Sequence, residues 1–98
     1  MPSTGPAQIG SGADRPRVAS HARLTFDPAR GRHVLLTPET VIVLNGTGAA
    51  VIGLCDGTRT VAEIVAALRG RYDRVEDDEV RRFLDRLAAK RCVEISHG

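Results

Sequence analysis

The sequence predicts an α+β domain in which three short antiparallel strands are followed by three helices. Between residues 23 and 45, short apolar runs alternate with tight-turn residues at the spacing of a strand meander. From residue 46 onward, apolar residues recur with the period of amphipathic helices. A last short strand is indicated at Val93–Ile95. Three strands against three helices is the inventory of a winged helix-turn-helix domain.

Three strands are predicted in order along the chain. Arg23–Asp27 alternates polar and apolar residues, which is typical of a half-buried strand. The Asp, Pro and Gly of Asp27–Arg32 favour a turn into a returning strand, His33–Leu36. In Thr37–Thr40, proline occupies the second position of a tight turn, where its fixed φ suits type I geometry. Val41–Asn45 then forms the third strand.

The three helices follow from their caps and their apolar spacing. The first is predicted over Gly46–Cys55. Thr60 and Glu63 form a capping box that opens the second helix, which Gly70 ends. Four carboxylates at Glu76–Glu79 mark the electropositive start of the third helix. The apolar stripe of that third helix consists of Val80, Phe83, Leu84 and Leu87.

The N-terminal segment has a different composition from the rest of the chain. Residues 1–19 are rich in Pro, Gly, Ser and Ala, and their only branched apolar side chains are Ile9 and Val18. Such a segment cannot bury enough apolar surface to offset the entropy lost on ordering. We therefore expect a disordered, dispensable tail or linker over residues 1–19 and a folded domain over residues 20–98. Whether the tail joins a further domain is left open.

Length and composition limit the classes of function. The 98 residues suffice for one small domain, and a deep enzyme pocket is hard to build at that size. The formal net charge of +2 is too small to indicate nucleic-acid binding by itself. No apolar run approaches the ~18 residues of a membrane span, and no signal peptide is recognisable, so we expect a cytoplasmic protein without a membrane partner.

Residues suited to metal binding or catalysis are few and dispersed. The histidines are scattered, and the two cysteines form no C-x-x-C pair, so buried structural thiols are favoured over a disulfide or a metal site. The carboxylates at the start of the third helix lack a nucleophile or an orienting histidine in the sequence around them. We expect no enzymatic activity, no metal and no cofactor. These cysteines and histidines are Cys55, Cys92, His21, His33 and His97.

The run VIVLNGTGAAVIG (Val41–Gly53) looks like a strand entering a dinucleotide-binding glycine turn. Such a site needs a third glycine where this sequence has valine, and an acidic residue about 20 positions further on. The residues there, Ile64–Leu68, are all apolar. Nucleotide binding is therefore not expected. Gly46 and Gly48 are expected to let the strand turn sharply into the first helix, and Gly53 to let that helix pack closely against a neighbour.

Three segments of the chain carry a family resemblance: RLTFDPARGRHVLLTPETVIVLN, GAAVIGLCDGTRTVAEIVAAL and EVRRFLDRLAAKRCVEI. In this order they resemble the PqqD family of pyrroloquinoline quinone (PQQ) biosynthesis. The most specific pieces are LLTPE leading to LN, and LCDGTRTVAEIV. The resemblance implies a non-catalytic winged-helix module that recognises the leader region of the precursor peptide PqqA. It also implies delivery of that peptide to PqqE, a radical S-adenosylmethionine enzyme that cross-links a Glu and a Tyr. The peptide would add as a strand at the sheet edge, against the third helix.

The residues agree with that mode of binding. The third strand can offer unpaired amides and carbonyls to a peptide main chain, and the arginines of the third helix would attract an acidic peptide. The alternative for these arginines is a solvated helix face with the pairs Asp78–Arg82 and Arg81–Asp85, and for Phe83 a place in the core. The predicted peptide-binding residues are Val41, Ile42, Val43, Leu44, Arg82, Phe83 and Arg86.

A DNA-binding winged helix is the alternative class of function, supported by the basic residues of the third helix. Two features oppose it. The connection RYDRVED between the second and third helices is longer than the usual turn of about three or four residues. The acidic cluster would also lie at the helix N-terminus that reads bases in such proteins. Peptide binding is therefore favoured, no nucleic-acid partner is expected, and the oligomeric state is left open.

Overall fold

The computed structural model describes residues 13–97, and within that range the chain forms strands on both sides of a helical segment. The expected α+β class, with a three-stranded antiparallel sheet followed by three helices, is confirmed. The short C-terminal strand is also present. The elements are β1 (Arg15–Val18), β2 (Arg23–Asp27), β3 (Arg32–Leu36), β4 (Val41–Val43), α1 (Gly46–Gly53), α2 (Val61–Arg69), α3 (Asp77–Ala89) and β5 (Val93–Ser96).

The three-stranded sheet has the order β2–β3–β4, with antiparallel pairing throughout. Its register places Leu24, Leu35 and Ile42 side by side across the strands. Side chains on one face of a strand alternate with those on the other, so these three lie on one face, which packs against the helices. Leu35, on the central strand, is completely buried. Each of the outer strands, β2 and β4, pairs only with β3 among residues 13–97.

The core lies between this sheet and the apolar faces of the helices. Ile64 of α2 and Leu84 of α3 are 0% exposed, which confirms the helix faces predicted from the 3.6-residue period. The capping box is also formed: the Thr60 amide donates to Glu63 Oε1 at 2.8 Å, and the Glu63 amide donates to Thr60 Oγ1 at 3.1 Å. Both cysteines are buried free thiols, as expected.

The N-terminal boundary differs from the sequence prediction. A disordered tail over residues 1–19 is wrong for its last part, because residues 15–18 form β1 and pair antiparallel with β5. Pro16 of β1 is fully buried, and Ala19 is 2% exposed. The ordered domain therefore begins before Ser20. The remaining part of the predicted tail, residues 1–12, lies outside the described residues.

We call the pair of strands β1 and β5 the terminal ribbon, because it joins the two ends of the described chain. The outer side of β1 is also occupied. The Val18 amide donates to the Cys55 carbonyl at 3.1 Å, and the Gly57 amide donates to the Pro16 carbonyl at 3.0 Å. Gly57 has φ +85°, a conformation that favours glycine. Hydrogen bonds from distant parts of the chain thus hold β1 on both sides.

Candidate functional site

The first component of the candidate site is the open side of β4. The Leu44 amide donates to the His33 carbonyl at 3.0 Å, which fixes the phase of the hydrogen bonds between β3 and the chain of β4. In an antiparallel pair, hydrogen-bonded and non-hydrogen-bonded positions alternate. Ile42 therefore points its amide and carbonyl toward β3, whereas Val41 and Val43 point theirs toward the open edge.

The side chains of residues 41–44 likewise fall into an exposed pair and a more buried pair. Val41 and Val43 are 46% and 43% exposed, although both are large apolar residues. Leu44 is 3% exposed and belongs to the core, and Ile42 is partly buried against it. Of the four predicted contact residues in this segment, only Val41 and Val43 thus offer both main chain and side chain to a partner.

The second component is a groove of about 420 Å³ that begins at Asn45, two residues beyond the end of β4. It lies between the N-terminal half of α1, the α2–α3 connection and one face of α3. All three predicted α3 residues, Arg82, Phe83 and Arg86, line it. Residues 41–44 do not, so the predicted contact residues form two adjoining surfaces rather than the walls of one groove.

Phe83 forms part of an apolar groove floor together with Val51, Val75 and Val80. It is half-buried and also packs against the core, so the interpretation as a core residue is confirmed in part, and its contact with a peptide stays a prediction. The Phe83 ring lies against α1 at Gly48, where an added Cβ would be 3.3 Å from Cζ. The close packing expected at Gly53 is wrong, because nothing lies within 4 Å of a Cβ built there. Gly48 is the glycine of α1 that a neighbouring side chain requires.

Asn45 connects the two components. Its side-chain Oδ1 accepts a hydrogen bond from the Gly48 amide at 2.7 Å and so caps α1. The same cap fixes the turn between the edge strand and the groove. Asn45 is therefore placed to contact anything that leaves β4 and enters the groove.

Five charged side chains line the groove, and none of them forms an ion pair within residues 13–97. The alternative pair Asp78–Arg82 is absent from this range. The acidic first turn of α3 instead contacts the preceding helix, through Arg69 and Asp77 at 3.8 Å. The Glu76 side chain makes no capping hydrogen bond. The five charged groove residues are Arg74, Glu76, Glu79, Arg82 and Arg86.

Sequence reasoning missed Asn45, Arg74 and Glu79 as groove residues. An asparagine between a strand and a helix is a recognisable cap, so a signal for Asn45 was available. Arg74 lies in a connection without periodicity, and only the fold shows which way that connection faces. Glu79 was assigned to the helix start as one of four similar carboxylates, and nothing in the sequence separates it from Asp78.

Two further properties of the described residues bear on other classes of function. Within residues 13–97, no three His, Cys, Asp or Glu side chains come together in a group that could hold a metal ion. No helix in the same range has the length and apolar character needed to cross a membrane.

Comparison with known proteins gives the family. The family model for coenzyme PQQ synthesis protein D (PqqD) matches residues 32–93. The chain belongs to the PqqD family. A PqqA binding protein of Azotobacter vinelandii is 40% identical over 85 residues, which cover 84% of this chain and 91% of that protein. The resemblance seen in the sequence is therefore confirmed.

Another relative carries a PqqD region within a longer protein. The bifunctional coenzyme PQQ synthesis protein C/D of Methylorubrum extorquens is 39% identical over 87 residues, which cover 86% of this chain but 23% of that protein. A solution NMR structure of the PqqD truncation of Methylobacterium extorquens PqqCD superposes with a TM-score of 0.67 at 39% identity. The superposition covers 86% of this chain and 93% of the PqqD truncation. That truncation represents a functional, stand-alone recognition element for ribosomally synthesised and post-translationally modified peptides.

Proposed function

We propose that this protein binds the precursor peptide PqqA and presents it to the radical S-adenosylmethionine enzyme PqqE in PQQ biosynthesis, in the cytoplasm. The observation that carries the proposal is the open side of β4, where Val41 and Val43 direct main-chain groups and exposed side chains outward. Beside it lies a groove whose charged side chains form no ion pair with any of residues 13–97. Support also comes from the family, whose relatives include PqqA binding proteins and a peptide recognition element.

Strand addition at β4 accounts for binding without a preformed deep pocket. A peptide strand that pairs with Val41 and Val43 satisfies main-chain donors and acceptors that water otherwise solvates, each bond contributing about 1 kcal/mol net. The peptide side chains that face the groove would pack on Phe83 and contact Arg82 and Arg86. These contacts supply the specificity that main-chain pairing lacks.

We propose no catalytic step for the protein itself. Burial raises the pKa of the Cys55 thiol to about 12, so this sulfur stays protonated and is a poor nucleophile. The side chains with lowered pKa act in local structure: hydrogen bonds from Thr60 lower the pKa of Glu63, and those from Thr58 lower the pKa of Asp56. The chemistry is assigned to the partner enzyme.

The DNA-binding alternative is disfavoured by the first turn of α3. Asp77, Asp78 and Glu79 lie there, at the N-terminal end with which a recognition helix contacts base edges inside the negatively charged duplex. An electrophoretic shift with mixed-sequence duplex DNA at low salt tests this directly, because even non-specific binding is strong under those conditions. We expect no shift at micromolar protein.

An amide chemical-shift titration of the ¹⁵N-labelled full chain with synthetic full-length PqqA tests the binding site. We expect the largest shifts at Val41, Val43, Asn45 and the groove face of α3. Shifts confined to residues 23–36, with β4 and α3 silent, would place the site elsewhere. Presentation is tested separately, by measuring PqqA cross-linking by PqqE with and without this protein, where we expect faster cross-linking when it is present.

A further inference from the structure

The groove beside β4 carries charges of both signs, arranged along α3. Glu76 and Glu79 lie at its N-terminal end, and Arg82 and Arg86 lie one to two turns further on. Arg74, from the α2–α3 connection, lines the groove as well. Along α3, the N-terminal end of the groove thus carries two carboxylates, whereas the opposite end carries two guanidinium groups and no carboxylate. A uniformly basic groove, as expected for a purely acidic ligand, would not include Glu76 and Glu79.

These charges do not satisfy one another within the described part of the chain. Glu79 and Arg82 are three residues apart on one helix, a spacing at which ion pairs form readily, yet no contact within the salt-bridge distance occurs between them. Outside the groove, four arginines of the same molecule do form ion pairs, as in Arg59–Asp56 at 2.8 Å. Both signs of charge in the groove are therefore available to a ligand.

We infer that the groove recognises a peptide segment carrying one basic and one acidic residue in a fixed order, the basic residue at Glu79 and the acidic residue at Arg82 and Arg86. The inference rests on the proposed peptide-binding function and adds a charge pattern and a direction to it. Seven residues of helix from Glu79 to Arg86 span about 10 Å. Since an extended chain rises about 3.3 Å per residue, the two peptide charges lie roughly two to four residues apart.

This arrangement fixes the direction of the bound strand. A peptide that adds to an edge can pair in either direction with similar main-chain hydrogen bonds. In the wrong direction, its acidic residue would face Glu79 and its basic residue would face Arg86, and both contacts would be repulsive. The charges thus exclude one orientation, which main-chain pairing alone cannot do.

Whether removal of the Glu79 charge weakens or tightens peptide binding distinguishes this inference from a groove that only attracts an acidic peptide. We would measure binding of fluorescein-labelled full-length PqqA to the full chain by anisotropy, for wild type, Glu79→Gln and Arg86→Gln. Both variants should weaken binding about two- to fivefold at low salt, in the range of exposed ion pairs, and less at high salt. If the groove only attracts negative charge, Glu79→Gln will instead tighten binding or leave it unchanged, which would overturn the inference.

Matched controls are available on the same helix. Asp78→Asn removes a neighbouring carboxylate, and Lys90→Gln removes a positive charge at the other end, and neither residue lines the groove. Neither should change the affinity measurably. A double-mutant cycle then replaces each basic residue of PqqA by Gln in turn. One replacement should lose its effect in the Glu79→Gln background, and if none does, the assigned contact is wrong. Failure of wild type to bind PqqA at all would instead refute the proposed function.

Discussion

The terminal ribbon and the three-stranded sheet use the same antiparallel pairing but differ in what lies beside their strands. β1 has β5 on one side and the connection between α1 and α2 on the other. β4 has β3 on one side and no strand on the other among residues 13–97, although two large valine side chains are exposed there. The ribbon is a closed structural element, whereas the sheet keeps an open edge at β4, which adjoins the groove and which we propose as the edge that the peptide uses.

This difference shows why strand character alone does not identify a binding surface. An exposed apolar edge is a risk for aggregation, and proteins commonly cover such edges or place charges on them. Among residues 13–97, no strand covers β4 and no charged side chain lies at Val41 or Val43 of its sequence. An edge that remains unprotected in this way is consistent with a site that a peptide strand covers during function.

The largest expected effect comes from removing β1. A chain that begins at Ser20 loses the buried Pro16, the hydrogen bonds of β1 with residues 55, 57 and 93–96, and the hydrogen bond from the Ala19 amide to the Cys92 carbonyl. At about 1 kcal/mol for each of several bonds, the loss is a large fraction of the 5–15 kcal/mol by which domains are typically stable. We expect a drop of at least about 4 kcal/mol in the free energy of unfolding, measured by urea denaturation.

The matched control for that truncation is a chain that begins at Ala13. The difference between the two chains isolates residues 13–19, and equal unfolding midpoints would show that β1 adds nothing to stability. In both chains β4 is intact. A folded but weakened Ser20 chain should therefore still bind PqqA when binding is measured well below its melting temperature.

A second prediction addresses the open edge itself. Val43→Pro removes an amide that points away from β3, so the strand keeps its pairing with β3 but loses a donor to the peptide. We expect affinity for PqqA to fall at least about tenfold, since proline also obstructs neighbouring pairing. Circular dichroism and thermal melting must show that the variant is folded.

The other edge of the same sheet supplies the control. Alternation of the hydrogen bonds across β3 places the amide of Phe26, in β2, on the outer side of β2. Phe26→Pro therefore makes the equivalent change at the opposite edge and should leave PqqA binding unchanged. If Phe26→Pro weakens binding and Val43→Pro does not, the peptide strand lies along β2.

A third prediction concerns the Phe83 ring at the groove floor. In Gly48→Ala, the new methyl group would be 3.1 Å from Asn45 Oδ1 and 3.3 Å from Phe83 Cζ, so the Asn45 cap, the Phe83 ring or both must shift beside the groove. We expect PqqA affinity to fall about two- to fivefold, as a lost packing contact of up to about 1 kcal/mol would cause. Adding Phe83→Leu to the Gly48→Ala variant should restore part of the lost affinity for PqqA.

Gly53→Ala is the control within the same helix. Its Cβ would enter open space, so only the helix propensity changes, and stability should rise by about 0.5–1 kcal/mol without an effect on binding. Thermal melting measures the stability and fluorescence anisotropy measures the affinity for PqqA, on the same samples. Equal effects of the two alanines on binding would show that the Phe83 ring is not displaced.

The smallest expected effect is acid sensitivity near the ribbon. Hydrogen bonds from the Thr58 hydroxyl and amide lower the pKa of Asp56, which lies in the connection that bridges to β1. Because the folded-state pKa is the lower one, this stabilisation is present at neutral pH. It is lost as the pH falls below the usual value of about 4 and through the folded-state value. In Asp56→Asn, the unfolding midpoint in urea should change less between pH 6 and pH 3 than it does in the wild type. The same pH dependence in both proteins would contradict a stabilising role of the Asp56 carboxylate.

The sequence predicts those parts of the fold that depend on neighbouring residues. The helix faces follow from periodicity, and the cap at Thr60 and Glu63 is a short motif. β1 has no such local signal, because its partner strand is far away along the chain: Arg17 and Glu94, which form an ion pair across the ribbon, are 77 positions apart. Four residues rich in proline and arginine look like a linker until the partner strand is known.

The candidate site also has a part that the sequence predicts and a part that only the fold shows. Arg82, Phe83 and Arg86 could be grouped from helical spacing alone. The separate roles of Val41 and Ile42 depend on the phase of hydrogen bonding with β3, which the pattern of four consecutive apolar residues does not show. Arg74 joins the groove through the fold of an aperiodic connection.

The terminal ribbon also has a consequence for rearranging the chain. Arg15 and Ser96 are directly paired, so their Cα atoms, at the outer ends of β1 and β5, lie about 5 Å apart. A few added residues could join them, and new termini could be opened in the exposed turn at Gly31, where φ is +66°. Such a circular permutant would retain the strands, the groove and β4 while changing the order in which they are synthesised. It would also turn the 77-position separation across the ribbon into a short hairpin, a local contact that forms early in folding.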